Sequence, residues 1–399
     1  MSSVYDRLGV RTIVNAAGPV TRLSGAPVHP EVAEAMREAA LSCVDMAELQ
    51  AAAGAVIAEH TGAEAGYVTS GAAAGLLLAT AACVTRLHPG KMNRLPDTTG
   101  MRDEVLIPRS HRNFYDHAVR GAGVRLVEVG LPDRWTGAGV RDTEAWEIAD
   151  AITDRTAAVV YVAGENALPR LPEVVAAAGP RGVPVIVDAA AQLPPASNLR
   201  RFVAEGADLV CFSGGKAIGG PQGAGILCGR KELIAAAALQ HLDMDVPFEL
   251  FAPPASLIDT RELPGAPQHG IGRPCKVGKE QIVGLVAALR RFVAEGDAAR
   301  AARWQGTVRA LLEAIGPLRH AAALASTIPG RSVPIVRLAL DEAAAGMTAL
   351  EAARRLLAGT PAIYANVSRL REGELLFNPV CLCPGDVELI ARRLRELLA

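Results

Sequence analysis

The chain lacks an excess of either charge. Its 399 residues carry 41 Lys and Arg against 42 Asp and Glu, a formal net charge of −1. Broad binding to nucleic acid needs a basic footprint, so no nucleic-acid partner is expected. Long hydrophobic runs are missing as well. The nearest, GAAAGLLLATAACV (71–84), falls short of the ~20 residues that span a bilayer. The N-terminus, MSSVYDRLGVRT, has no apolar signal core. These absences predict a cytoplasmic protein with no membrane partner. Paired cysteines are wanting too: the seven are scattered and odd in number, which fits free thiols in a reducing compartment. Cys381 and Cys383 form a C-x-C, not a C-x-x-C, and the eight histidines show no H-E-x-x-H spacing, so no metal is expected. There is no internal repeat.

What is present is alternation. Short apolar runs follow longer helical patterns through most of the chain, the mark of a parallel sheet with crossover helices. DEVLIPRSH (103–111), VRLVEVG (124–130), TAAVVYVAG (156–164), VPVIVDA (183–189), ADLVCFSGG (207–215) and AGILCG (224–229) read as strands, near-continuous in their apolar content as befits strands buried on both faces. GAEAGYVTSGAAAGLLLATAACV (62–84) reads as strand, turn, helix. The texture changes after about residue 260. FAPPASLIDTRELPGAPQHG (251–270) is proline-rich and aperiodic, and reads as a linker or surface loop. KEQIVGLVAALRRFVAEG (279–296) is an amphipathic helix ending at glycine, followed by a second α/β pattern. The expected organisation is an N-terminal segment over 1–60, a large domain over 61–265 and a smaller C-terminal α/β domain over 266–399.

In open α/β sheets ligands bind beyond the carboxyl ends of the strands. Four polar residues stand at such ends: Ser70, His111, Asp188 and Lys216. Ser70 and Gly71 lead into a helix, whose first N–H groups suit an anion. Asp188 ends an apolar strand and either caps the next turn or pairs with a cation. Lys216 lies in SGGKAIGGPQGAG (213–225), in a pocket that favours its neutral, nucleophilic form. The phosphate loop of nucleotide hydrolases is ruled out, because Ala217 rather than Ser or Thr follows the lysine. The dinucleotide fingerprint is ruled out by its spacing. An anion site at a helix start, a strand-end carboxylate and a strand-end lysine together match pyridoxal 5′-phosphate.

With those residues in view, the chain resembles the fold-type-I pyridoxal-phosphate enzymes, a mainly parallel large domain with a smaller C-terminal α/β domain. It is most similar to their selenocysteine-synthase-like branch, which contains D-glucosaminate-6-phosphate ammonia lyase. The similarity runs through IVNAAGPVTRLSG (13–25), VTSGAAAGLLLA (68–79), LPDTTGM (95–101), RSHRNFYDHAVRGAG (109–123), VDAAAQLPP (187–195), FSGGKAIGGPQGAGIL (212–227) and GIGRPCKVGKEQIVG (270–284). It implies that Lys216 carries the cofactor covalently and that Asp188 partners its ring nitrogen. It implies further that His111 stacks on the ring and that Gln192 bonds the ring hydroxyl or the imine region. Ser70, Gly71 and Ala72 would cradle the phosphate with help from Ser213, and Gly220 would complete the pocket. Catalysis is expected of Lys216, Asp188 and His111. The family also implies a homodimer or larger homo-oligomer. The related selenium transferase binds a transfer RNA and carries an extra N-terminal domain, which is not expected in a chain that reaches NAAG by residue 15.

The expected reaction is elimination from a 2-amino-3-hydroxy acid, a phosphorylated amino sugar acid among them, giving a 2-oxo-3-deoxy acid and ammonia. Racemisation, aldol cleavage and sulfur or selenium transfer are the alternatives of the same chemistry. A non-catalytic cofactor-binding protein is the alternative of another class. Arg273, Lys276 and Lys279 form a basic cluster suited to an anionic substrate. Asn15 is expected to reach the active site. Arg369 and Arg371 are candidates for the substrate carboxylate, and a strand through SRLREG would turn both to one face.

Overall fold

The computed structural model describes residues 3–131, 142–327 and 332–398. In chain order the strands are β1 (Ile13–Ala16), β2 (Ala65–Thr69), β3 (Glu104–Pro108), β4 (Arg125–Val129), β5 (Thr156–Val162), β6 (Val185–Asp188), β7 (Leu209–Ser213), β8 (Gly225–Gly229), β9 (Ala321–Thr327), β10 (Pro334–Leu340), β11 (Ala362–Ala365) and β12 (Glu374–Phe377). The chain divides into two compact units. Val28–Val293 forms the larger, and Met1–Pro27 joins Ala294–Ala399 in the smaller.

The larger unit is built on a seven-stranded sheet in the order β2-β8-β7-β6-β5-β3-β4. Only β8 runs against its neighbours; the other pairings are parallel. Each central strand feeds two cores by alternation. Val185 and Val187 enter one and Ile186 the other; Leu106 enters the first and Val105 and Ile107 the second. Both faces are therefore dry, which is why these strands read as continuous apolar runs. The helix Ala72–Thr85 is buried on nearly all sides. Its alanine-rich sequence is what a helix enclosed all round requires.

In the smaller unit β1 pairs in parallel with β11, and β9, β10 and β12 form an antiparallel sheet. Val14 and Ala16 of β1 join Val336, Leu338 and Phe377 in one core.

The long helix Lys279–Ile315 explains where the units divide. Ile282, Leu285, Leu289 and Phe292 lie in a core of the larger unit, whereas Val308, Leu311 and Ile315 lie in that of the smaller. Between them Gly296 breaks the helical backbone at φ 70° and ψ 162°, a conformation that glycine adopts without strain. The division thus falls near 294, later than the change of texture at 265 suggests, and residues 1–27 and 28–60 part company. The proline-rich stretch 251–270 also differs from a free linker, because Leu257, Ile258 and Leu263 are buried in the larger unit's core. Among the described residues no helix is long and apolar enough to cross a membrane.

Candidate functional site

The strand order decides what meets at the sheet's edge. Because β8 is reversed between β2 and β7, β2 and β7 run the same way, and the carboxyl ends of β2, β7, β6, β5 and β3 share one edge. Ser70, Ser213, Asp188 and His111 follow or end four of these strands, and Lys216 lies three residues beyond β7. The four strand-end positions singled out in the sequence therefore line one edge of the sheet.

At the β2 end the helix Ala72–Thr85 starts without a side-chain cap; its N-cap is Gly71 at φ 121°. Gly225, at the start of β8, pairs with Thr69 on one side and Ser213 on the other. A Cβ on Gly225 would stand 2.5 Å from the Gly71 carbonyl carbon and 2.7 Å from the Ala72 nitrogen. Glycine there lets the helix start settle against the strand ends. First-turn N–H groups of a helix, free of a side-chain cap and flanked by Ser70 and Ser213, make a setting for an anion. The Ser70 hydroxyl donates to the Cys275 carbonyl at 2.7 Å.

Lys216 sits in a tight turn in which the Gly219 N–H donates to the Lys216 carbonyl and the Gly220 N–H to that of Gly214. Gly214 and Gly215 are needed for closeness. A Cβ on the first would lie 2.5 Å from Leu285 Cδ1, and one on the second 2.5 Å from the Gln222 Cα. Gly220 is thus a backbone partner inside the turn. Lys216 is partly exposed, and its charge acts on Asp188.

Asp188 is 8% exposed, and its Oδ1 accepts from the Ala190 N–H at 3.0 Å. Burial pushes its carboxyl above the usual range; the Ala190 N–H and the Lys216 charge pull the other way and do not win. His111 is held at both nitrogens. The Val162 N–H donates to Nδ1 at 3.2 Å, and Nε2 faces the Leu168 carbonyl at 3.1 Å. A carbonyl only accepts, so the ring proton is on Nε2 and the imidazole is neutral. The ring stands edge-on to Tyr161 at 4.8 Å. With both nitrogens committed, His111 offers a ring face. Gln192 donates through Nε2 to the Ala163 carbonyl at 2.7 Å, which fixes the side chain and leaves Oε1 as its remaining acceptor.

The expected substrate residues fare differently. Arg273 donates to the His241 carbonyl at 2.9 Å and pairs with Asp243 at 2.8 Å. Lys279 pairs with Glu280 at 2.7 Å. Lys276 is exposed. The cluster is therefore largely answered by its own neighbours. Asn15 is buried in the smaller unit, where its amide donates to the Gly18 and Gly25 carbonyls and its oxygen accepts from the Ala17 N–H. It shapes the N-terminal segment. Arg369 pairs with Glu374 at 2.5 Å, and Arg371 is exposed on the 3-10 turn Leu370–Glu372. The segment is a turn, not a strand, so the two arginines do not share a strand face.

Sequence reasoning passed over two features. The Ser110 Oγ, beside His111, is buried without a hydrogen-bond partner among the described residues. Its only signal is a polar residue between an apolar strand and a histidine. The other is a buried chain from Tyr67 to His241 to the Cys275 carbonyl, whose members are far apart in sequence.

The family described as "SelA: L-seryl-tRNA selenium transferase" matches residues 14–244. The chain is 37% identical to a 5′-C-glycyluridine monooxygenase-decarboxylase of Streptomyces sp, over 99% of this chain and 92% of that protein. It is 32% identical to the D-glucosaminate-6-phosphate ammonia lyase of Salmonella typhimurium, over 99% and 98%. A solved structure of D-glucosaminate-6-phosphate ammonia-lyase superposes with a TM-score of 0.81 at 31% identity, covering 100% of this chain and 98% of that one.

Proposed function

The chain belongs to the SelA family of fold-type-I enzymes, and on that premise we propose that it is a pyridoxal-phosphate-dependent ammonia lyase. Its substrate is a 2-amino-3-hydroxy acid, in the first instance a phosphorylated amino sugar acid. The observation that carries the reading is the meeting of Asp188 and Lys216 at one sheet edge, beside an uncapped helix start. A carboxylate raised by burial gains most from a cation placed against it, and the protonated nitrogen of a pyridine ring is such a cation. The uncapped helix start with Ser70 and Ser213 suits the phosphate. The His111 ring suits a flat partner, and the Ser110 Oγ, without a hydrogen-bond partner among the described residues, is a further polar atom able to bond a ligand.

Bound in this site, pyridoxal 5′-phosphate supplies an electron sink for negative charge at the substrate α-carbon. The protein's residues do the rest. Asp188 holds a proton on the ring nitrogen. Lys216, as the neutral amine, takes the α-proton. The turn Gly214–Gly220 keeps that amine beside the strand ends. The β-hydroxyl leaves as water and water returns on hydrolysis, so the balance is one amino acid to one 2-oxo-3-deoxy acid and one ammonia. We infer a cytoplasmic enzyme from the sequence and a homo-oligomer from the family resemblance.

The test is product analysis. The cofactor-loaded protein, given a phosphorylated 2-amino-3-hydroxy sugar acid, is expected to release ammonia and 2-oxo acid in equal amounts with no oxygen uptake. The more identical Streptomyces relative favours a second reading, an oxygen-dependent decarboxylation of a glycyl-bearing nucleoside. Oxygen uptake with carbon dioxide release from such a substrate, and no ammonia from the sugar acids, would replace the lyase by that reaction.

A further inference from the structure

The Cys275 carbonyl accepts two hydrogen bonds, from the Ser70 hydroxyl at 2.7 Å and from His241 Nε2 at 2.9 Å. Behind His241 stands Tyr67, whose hydroxyl lies 2.8 Å from Nδ1, with the two rings edge-on at 5.5 Å. Proton positions follow from chemistry. A carbonyl cannot donate, so Nε2 carries the hydrogen, and Nδ1 accepts from the phenol. Tyr67 and His241 are both buried. Burial, with help from the Arg273 charge, lowers the His241 pKa against the opposing pull of the Cys275 carbonyl, and it raises that of Tyr67. Both therefore stay neutral.

Ser70 has a single hydroxyl proton. To serve an anion at the helix start, that proton must turn away from Cys275. Were Ser70 the carbonyl's sole donor, the turn would strand a half-buried acceptor, which is costly. His241 removes that cost, because the carbonyl keeps its second bond. We infer that His241, backed by Tyr67, is a positioning residue that frees the Ser70 hydroxyl for the anion at the start of the helix Ala72–Thr85. This rests on the phosphate-cradle reading above.

The experiment compares two probes, pyridoxal 5′-phosphate and pyridoxal, by equilibrium binding to the full chain stripped of cofactor. The variant Tyr67→Phe/His241→Leu removes both partners together, so neither is left orphaned. It is expected to lose about tenfold in affinity for pyridoxal 5′-phosphate while pyridoxal changes by less than about twofold. His241→Gln, which retains a donor for Cys275, should recover most of the loss. In a Ser70→Ala background the paired substitution should make no further difference. Equal losses for both probes, or an undiminished loss without Ser70, would overturn the inference and leave a purely structural role. A wild-type chain that binds neither probe overturns the cofactor reading itself, and this inference with it.

Discussion

Asp188 in the larger unit and Glu374 in the smaller are both buried, at 8% and 6% exposure. Their carboxyls nevertheless shift in opposite directions. Burial pushes Asp188 up, with one backbone N–H and the Lys216 charge as weaker opposition. Hydrogen bonding to Arg369 pulls Glu374 down, with Arg337 adding to it against a smaller upward push from burial. Arg337 lies at 2.6 Å and Arg369 at 2.5 Å, one on each carboxylate oxygen. Glu374 is thus a completed interaction and Asp188 an unfinished one. A carboxylate that is buried and only partly compensated is a candidate place for a ligand; one clamped between two arginines holds a sheet together.

The largest expected effects break the unfinished side of this comparison. Lys216→Ala should lower turnover at least about 10³-fold, the scale of a lost general base, and in the wild type borohydride should fix the cofactor on the peptide that contains Lys216. Attachment at another lysine would overturn the assignment. Asp188→Asn keeps an acceptor for the Ala190 N–H but not the charge. Its turnover should fall about 10²-fold, near 2.7 kcal/mol in barrier. Near-normal turnover of a loaded Asp188→Asn protein would make Asp188 a turn cap and nothing more.

The same comparison explains what could be read in advance. The large sheet was legible because strands dry on both faces leave unbroken apolar runs, and because a parallel sheet collects strand ends at one edge. That Ser70, His111, Asp188 and Lys216 stand at or just beyond one sheet edge could be read on that ground alone. The ion-pair partners of the basic candidates were not legible, since they lie at a distance in sequence. Arg273 finds Asp243, and Arg369 finds Glu374. The division near 294 was hidden for a similar reason. One amphipathic pattern runs through Lys279–Ile315, and the apolar face changes core partway along it. Tyr67 and His241, 174 residues apart, carry no shared signal in the chain.

A smaller effect is expected from the completed side. Glu374→Gln should lower the melting temperature by about 2–4 °C and leave turnover per folded molecule within about twofold. The pH dependence follows from the direction of the shift. Glu374 has a folded pKa below its unfolded one, so its contribution is present above the unfolded value and is lost as pH falls through the folded value. The gap between wild type and Glu374→Gln, followed by thermal denaturation, should close on acidification through that window. A gap that persists well below it would mean that Glu374 acts through packing rather than charge.

The smallest effect has the opposite sign. Asp188 has its folded pKa raised, mainly by burial. Above that value the folded protein holds a charge that the unfolded chain would keep in water, so ionised Asp188 subtracts from stability. As pH falls through the folded pKa toward the unfolded one, the folded state takes up the proton first and the cost disappears. Asp188→Asn removes the charge but keeps the oxygen that accepts from the Ala190 N–H. It also gives up the attraction of Lys216, the weakest of the three contributions to the shift. In cofactor-free protein at neutral pH the variant should therefore melt on the order of 1–2 °C higher than wild type, with the advantage fading on acidification. With pyridoxal 5′-phosphate bound, the order should reverse, because the carboxylate then faces the protonated ring nitrogen. A variant less stable than wild type in both forms would show that Lys216 already completes Asp188, and the contrast with Glu374 would collapse.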